Sequence, residues 1–101
     1  GIDAGGNCVI NGCTMYYNGG DGLFVSGNAT ISDCAARSNG GAGIRGNIGS
    51  TITRCTATGN SEEGIDAGNN STVSGCAARS NSNRPKYVSC SVSKAMSCRP
   101  A

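Results

Sequence analysis

The chain has 101 residues, and 48 of them are Gly, Asn, Ser or Thr (17, 11, 13 and 7 respectively). Its charged fraction of 14% lies below the about 25% of an ordinary globular domain, and with nearly half the chain small or polar and 37% apolar a conventional packed core is not expected. A net charge of +2, from 8 basic and 6 acidic residues, is too weak and too scattered to predict nucleic-acid or membrane binding. No apolar run approaches the ~20 residues of a membrane span. No basic segment followed by an apolar one opens the chain, so it reads as soluble, either mature or cut from a longer protein. The absence of His and Trp excludes a His-based triad, an imidazole base and a His-ligated zinc site, and leaves sugar stacking to Phe24, Tyr16, Tyr17 and Tyr87.

A period of 21 residues organises the sequence without a gap. The repeats are GIDAGGNCVINGCTMYYNGGD (1–21), GLFVSGNATISDCAARSNGGA (22–42), GIRGNIGSTITRCTATGNSEE (43–63) and GIDAGNNSTVSGCAARSNSNR (64–84). Gly holds the first position of each (Gly1, Gly22, Gly43, Gly64), Cys the thirteenth (Cys13, Cys34, Cys55, Cys76) and Asn the eighteenth (Asn18, Asn39, Asn60, Asn81). Within a repeat, apolar and polar residues alternate in three short bursts, the period-2 signature of strands. The first burst points Ile2, Leu23, Ile44 and Ile65 inward with Ala4, Val25, Gly46 and Ala67; the second, Ile10, Ile31, Ile52 and Val73; the third, the Cys column with Met15, Ala36, Ala57 and Ala78. Gly and Asn fill the corners, where positive φ is wanted. Corners this short leave no room for helices, so each repeat is one coil of a solenoid whose strands pair in parallel with the coils above and below.

Read this way, segments such as GIDAGNNSTVSGCAARSN (64–81) resemble the right-handed parallel β-helix repeat proteins, the pectate-lyase-like solenoid superfamily. The resemblance covers residues 1 to 84. It implies an all-β fold, a single-stranded right-handed parallel β-helix of four regular coils, with residues 85–101 as a partial fifth coil or cap. Right-handedness agrees with the rule for parallel crossovers. The architecture hosts lyases, epimerases, adhesins and tailspikes, so the resemblance implies a fold and leaves function open.

The period turns stacking into arithmetic. Adding 21 takes Asp33 to Arg54, Arg45 to Asp66 and Glu63 to Arg84, pairs expected roughly 4.8 Å apart on adjacent coils and contributing about 0.2–1 kcal/mol each. Lyases of this fold resembled here cluster carboxylates around calcium with an Arg or Lys base, but Asp3 and Asp66 share a column three coils apart, at about 14 Å. Asp21 and Glu62 have no partner carboxylate at a stacking offset, so the charges read as structural, with no metal, cofactor or catalytic residue expected. Carboxylates converging with a base in one groove would instead mark an enzyme.

Seven Cys in a secreted chain suggest a disulfide framework. The four stacked thiols read better as small, polarizable core residues, because neighbours in a parallel ladder are poorly placed for the disulfide torsion. A bridge such as Cys13 to Cys34, or a soft-metal ladder, is the weaker alternative. Cys8, Cys90 and Cys98 fall outside the column, and a Cys90 to Cys98 bridge would tie down the tail. The Asn column is a corner ladder of stacked amides. The acceptor triplets at Asn28, Asn69 and Asn70 read first as turns and as glycosylation sites only in a eukaryotic setting.

Two outward faces are regular enough to propose contacts. Thr30 and Ser32, Thr51 and Thr53, and Thr72 and Ser74 form two hydroxyl columns over three coils, broken at the first coil by Val9 and Asn11. This grid resembles the Thr-x-Thr faces of β-solenoid antifreeze proteins, although Thr is favoured at exposed strand positions anyway. The next face stacks Tyr16, Arg37, Thr58 and Arg79 beside Thr14, Ala35, Thr56 and Ala77, offering Tyr16, Arg37 and Arg79 to an acidic glycan.

The chain opens in phase at Gly1, leaving a first coil open to pairing, while Pro85 and the basic tail blunt the other end. The leading expectation is a non-catalytic structural or surface-binding β-solenoid, extracellular or at the cell surface, associating end to end with itself or forming part of a longer β-helix, with polysaccharide as a further partner. The alternatives are a fragment of an extracellular polysaccharide lyase or epimerase, and an ice-binding protein.

Overall fold

The computed structural model describes residues 1–68 and 70–79, with residue 79 and residues 89–90 and 96–100 described as backbone alone. Three strands of three or four residues recur in each of the first three coils: β1 (Ile2–Ala4), β2 (Val9–Asn11) and β3 (Thr14–Tyr16); β4 (Leu23–Val25), β5 (Thr30–Ser32) and β6 (Ala35–Arg37); β7 (Ile44–Asn47), β8 (Thr51–Thr53) and β9 (Thr56–Thr58). The fourth coil carries β10 (Ile65–Ala67) and one long strand, β11 (Thr72–Arg79); β12 (Ser89–Cys90) and β13 (Met96–Pro100) follow. Every pairing is parallel and most run at an offset of 21, for example Ile10 beside Ile31, Ile31 beside Ile52 and Ile52 beside Val73. The result is a parallel β-solenoid.

Sequence reasoning expects three separate faces, and the hydrogen-bonded sheets number two. A five-stranded sheet runs β1-β4-β7-β10-β12, while β11 continues through the second corner and joins the other two faces into one eight-stranded sheet. β7 carries a bulge, with Ala67 opposite Asn47 where Gly46 would be expected. Position 46 has room only for Gly, since a Cβ there would lie 2.8 Å from the Ile52 Cδ1. β12 adds to β10 and β13 to β11, with Cys98 beside Cys76 in the backbone register. Asn69, Asn81, Arg84, Pro85, Lys86, Tyr87, Val88, Val92 and Lys94 lie outside the described residues, as do the side chains of Arg79, Cys90 and Cys98.

Left-handed corners lie five residues apart within a coil, at repeat positions seven, twelve and seventeen. Asn7, Asn28, Gly49 and Asn70 hold φ of 57, 54, 73 and 59°; Gly12, Asp33, Arg54 and Gly75 hold 71, 55, 51 and 64°; Tyr17, Ser38 and Gly59 hold 55, 58 and 66°. Gly and Asn are the residues expected in this left-handed region. Asp33, Arg54, Tyr17 and Ser38 are not, and each of them costs of order 1 kcal/mol or more.

The interior is a narrow column, filled by two side chains from a strand of the five-stranded sheet, as in β4 and β10, and by one from a strand such as β5 or β6. Leu23, Val25, Ile31, Ile44, Ile52, Ile65, Ala67 and Val73 are fully buried, as sequence alternation predicts, with Cys34, Cys55, Cys76, Met15, Ala36, Ala57 and Ala78 closing the third side. Ile2, Ala4, Cys8 and Cys13 on the first coil are only partly covered.

Two polar ladders run through this core. The Asn39 Oδ1 accepts the Asn18 backbone N–H (3.0 Å) and Nδ2–H (2.8 Å); the Asn60 Oδ1 accepts the same two donors from Asn39 at 3.0 and 2.8 Å. Each buried amide also donates backward, Asn39 to the Met15 carbonyl (3.2 Å) and Asn60 to that of Ala36 (3.1 Å). The first-position Gly follows from this ladder, because a Cβ on Gly22 or Gly43 would meet the Nδ2 of Asn39 or Asn60 at 2.7 Å. The second ladder, at repeat position eight, escapes sequence reasoning. Ser50 and Ser71 are buried; their hydroxyls accept the Ala29 and Ser50 N–H groups (3.2 and 3.1 Å) and donate to the Gly46 and Asn47 carbonyls.

Removing one rung of the amide ladder strands several buried donors and acceptors. Asn39→Ala is expected to lower unfolding free energy by about 2–3 kcal/mol, read from the urea midpoint, whereas the conservative Ser38→Asn at a left-handed corner is expected to be neutral or mildly stabilising.

Candidate functional site

The structure brings together a group of charges that offset arithmetic leaves apart. Arg45 sits in the outward file of the five-stranded sheet between Phe24 and Asp66. Its Nη1 donates to the Asp66 Oδ2 (2.7 Å), as the 21-residue offset predicts, but its Nε also donates to the Asp21 Oδ2 (3.0 Å) and its Nη2 to the Glu62 Oε1 (3.1 Å). Asp21 and Glu62 have no carboxylate partner at a stacking offset, and each is paired with the Arg45 cation instead. Both lie at the corner that precedes the strand file, at offsets of 24 and 17, within reach of a long side chain but invisible to a search at 21. The Asp21 Oδ1 additionally accepts the Ala42 N–H (2.8 Å), fixing its carboxylate across two coils.

The chemistry of this node follows from its pairing. The hydrogen bond to Asp21 holds the Arg45 guanidinium above its already high value, so it stays protonated and serves as an anchor instead of a base. Burial, reinforced by the crowd of Glu63, Asp21 and Glu62, outweighs Arg45 and pushes the Asp66 carboxyl above the usual range. Asp33 shows the opposite behaviour. Its bidentate bond to Arg54 (2.9 and 3.0 Å), also predicted by offset, lowers its pKa. Among the described residues no group of three or more Cys, Asp or Glu is arranged to hold a metal ion. An open depression lined by Asp3, Asp21 and Phe24 adjoins the node on the first coil.

The hydroxyl face has the registered files that sequence reasoning places there: Val9, Thr30, Thr51 and Thr72 in one, Asn11, Ser32, Thr53 and Ser74 in the other. Thr30 and Thr72 are exposed, while Ser32, Thr51, Thr53 and Ser74 are half-buried. Ser32 donates to the Asn11 Oδ1 (3.3 Å), so the polar file continues into the first coil, whereas Val9 interrupts its neighbour at 75% exposure.

On the next face Tyr16 stands beside Arg37, Arg37 beside Thr58 and Thr58 beside Arg79. The Arg37 Cζ lies 5.2 Å from the Tyr16 ring centroid, within cation–π range. Tyr17, outside any candidate set drawn from the alternating pattern, tilts its ring at 33° against Tyr16 with centroids 4.3 Å apart. The signal for it was present, since an aromatic dipeptide at a corner stands out in a chain with four aromatic residues. Its hydroxyl bond with Tyr16 raises the Tyr17 phenol above its usual value.

The described part of the Cys column is an interior ladder of free thiols, with Cys34, Cys55 and Cys76 buried and Cys13 partly so; Cys8, outside the column, is also free and partly buried. Cys34, Cys55 and Cys76 bond to the Ser32, Thr53 and Ser74 carbonyls at 3.3, 3.3 and 3.4 Å. Burial raises Cys34, and the hydrogen bond shared with Cys76 together with burial raises Cys55, which makes both poor nucleophiles.

A solenoid of stacked coils with amide and thiol ladders inside and flat files outside defines the class. The family model for the right-handed β-helix region matches residues 1–97, and the chain belongs to that family. The coils are accordingly right-handed. A search of the curated proteins gives no match, and neither does a search of the solved structures.

The opposed carboxyl shifts can be separated by pH. Asp33, lowered in the fold, contributes stability that is present above its unfolded pKa and lost as pH falls through the folded one. Asp66, raised in the fold, has the reverse sign: its contribution is greatest below the unfolded pKa and falls away as pH rises through the folded one. Urea midpoints across about pH 3–6 are expected to fall less on acidification in Asp33→Asn than in the parent, and more steeply in Asp66→Asn. For the thiols, alkylation of the native protein followed by peptide mass analysis is expected to modify Cys8 and Cys13 and spare Cys34 and Cys55 until denaturant is added.

Proposed function

We propose that this chain is a non-catalytic β-solenoid, a scaffold outside the cell or at its surface that works by presenting flat files of side chains and by pairing coil on coil. The observation that carries this reading is the commitment of four of its six acids to structure. Asp21, Glu62 and Asp66 are bonded to Arg45, and Asp33 to Arg54. Groups spent on holding adjacent coils in register are not poised to exchange protons with a substrate. The edges of the first coil support the pairing half of the reading: β1 ends one sheet, and β2 and β3 end the other, so each offers unpaired backbone groups to a further coil of this chain or of a second copy.

Convergence of three carboxylates on one guanidinium beside an open depression is also what favours the second reading, a portion of a polysaccharide lyase or epimerase. Against it stands the pairing of Arg45 with Asp21, Glu62 and Asp66, which engages the guanidinium as a protonated donor and not as a base. The regular files of Thr30, Thr51 and Thr72 support ice binding as a further use of the scaffold, and Thr51→Arg would abolish it.

Incubation with polygalacturonate and with alginate, followed for unsaturated uronates and for shortened chains, is expected to give no turnover. Turnover that disappears in Arg45→Ala would replace the scaffold reading with the lyase one. Light scattering over a concentration series is expected to show particles that grow by end-on addition if the first-coil edge pairs with a second copy.

A further inference from the structure

Most of the described charges in this solenoid are compensated within it. Asp21, Glu62 and Asp66 are bonded to Arg45 and Asp33 to Arg54, while Glu63 adds its field at Arg45. Among the described side chains, only Asp3 and Arg37 are charged and enter no ion pair, and both are exposed. They are of opposite sign, and each stands beside aromatic surface.

The surroundings of the two differ in shape. Asp3 is next to the half-buried Phe24 in the outward file of the five-stranded sheet, and with Ile2, Gly20 and Asp21 they line an open depression of about 350 Å³, enough for an aromatic ring. Its rim is acidic beyond Asp3, because the neighbouring node sets three carboxylates against one guanidinium. Arg37 belongs to an exposed aromatic patch. Its Cζ lies 5.2 Å from the Tyr16 ring centroid, which orients the planar guanidinium fork without pairing its charge, and the Tyr17 ring packs on Tyr16 at 4.3 Å. Tyr16 and Tyr17 remain 49% and 72% exposed. Tyr17 holds its place with a left-handed backbone at φ 55°, a costly conformation for an aromatic residue.

We propose that these two surfaces recognise each other on two copies of this chain: the Tyr17 ring of one copy enters the depression of the other against Phe24, and Arg37 beside it pairs with Asp3. Complementarity names the partner. An exposed ion pair gains little by charge alone, so the rings supply the apolar contact and the charges set orientation, in the division of roles usual at an interface. Tyr and Arg are also among the residues that carry most interface energy. The depression and the patch flank the corner that joins β3 to β4, residues 17–22, where the two sheets meet. A two-fold axis at that corner makes the contact twice and closes the assembly as a dimer. This side-on contact goes beyond pairing at the first-coil edge, which uses backbone groups, and stands whether or not that pairing occurs.

Sedimentation velocity of the 101-residue chain over a concentration series tests it, with the melting temperature of every variant recorded at a dilution where it is monomeric. A dimer that dissociates as salt rises is expected. Asp3→Arg and Arg37→Asp each set like charges opposite one another, and each is expected to raise the dissociation constant about tenfold or more. The double variant Asp3→Arg/Arg37→Asp is expected to return it to near the parent value, a recovery that misfolding cannot produce. Tyr17→Gly is expected to raise the melting temperature, by relieving the left-handed backbone, and yet to weaken the dimer. A parent chain that stays monomeric, an association that neither reversal weakens, or a double variant that melts like the parent and yet fails to dimerise would overturn the proposal. In the second case end-on addition through the backbone edge would account for the association, and the scaffold reading would stand.

Discussion

Each buried Asn of the ladder takes two donors from the coil before it and returns its amide to a carbonyl of that same coil, so Asn39 and Asn60 satisfy themselves only when successive coils sit at one fixed displacement. A coil slipped by one residue would strand those amides in the interior, at about 1–3 kcal/mol for each unsatisfied group. This is a strong constraint in a chain whose core is too thin to enforce register by packing. The same ladder explains the Gly column, since the space a Cβ would need on Gly22 and Gly43 is filled by amide nitrogen and neighbouring carbonyl oxygen.

Fixing the displacement at 21 residues has consequences on both sides of the wall. Inside, identical positions stack into files of Ile, Ala and Cys, and the small cross-section explains why residues as short as Ala36 and Ala57 are fully buried. The thiols work there as filler, bonded to carbonyls, in a shape that larger residues would overpack. Outside, identical positions stack into files whose chemistry is repeated or alternated by the sequence, and so a short chain carries three chemically different stripes: acidic with a half-buried counterion, hydroxylated, and aromatic-basic.

The corners show where the fold is expensive. Left-handed backbone at three corners of a coil is cheap for Asn and Gly and costly for Tyr17, Ser38, Asp33 and Arg54. Asp33 and Arg54 recover part of that cost by bonding each other across coils. Tyr17 packs its ring against Tyr16 while remaining largely exposed.

Much of this was legible in the residues themselves. The period, the inward files, the Cys and Asn columns, and the pairs Asp33–Arg54 and Arg45–Asp66 follow from spacing, because in a solenoid an offset of one repeat is a spatial contact. What spacing does not encode is contact across a corner. Asp21 and Glu62 reach Arg45 from an adjoining file, Ser50 and Ser71 turn inward at a position where coils one and two carry Cys8 and Ala29, and Tyr17 folds back on Tyr16. The merger of two faces through β11 and the bulge at Asn47 belong to the same class. Repetition of the sequence determined neighbours along the axis; neighbours around it depend on backbone angles at the corners and on side-chain reach, and only the assembled tertiary structure decides those.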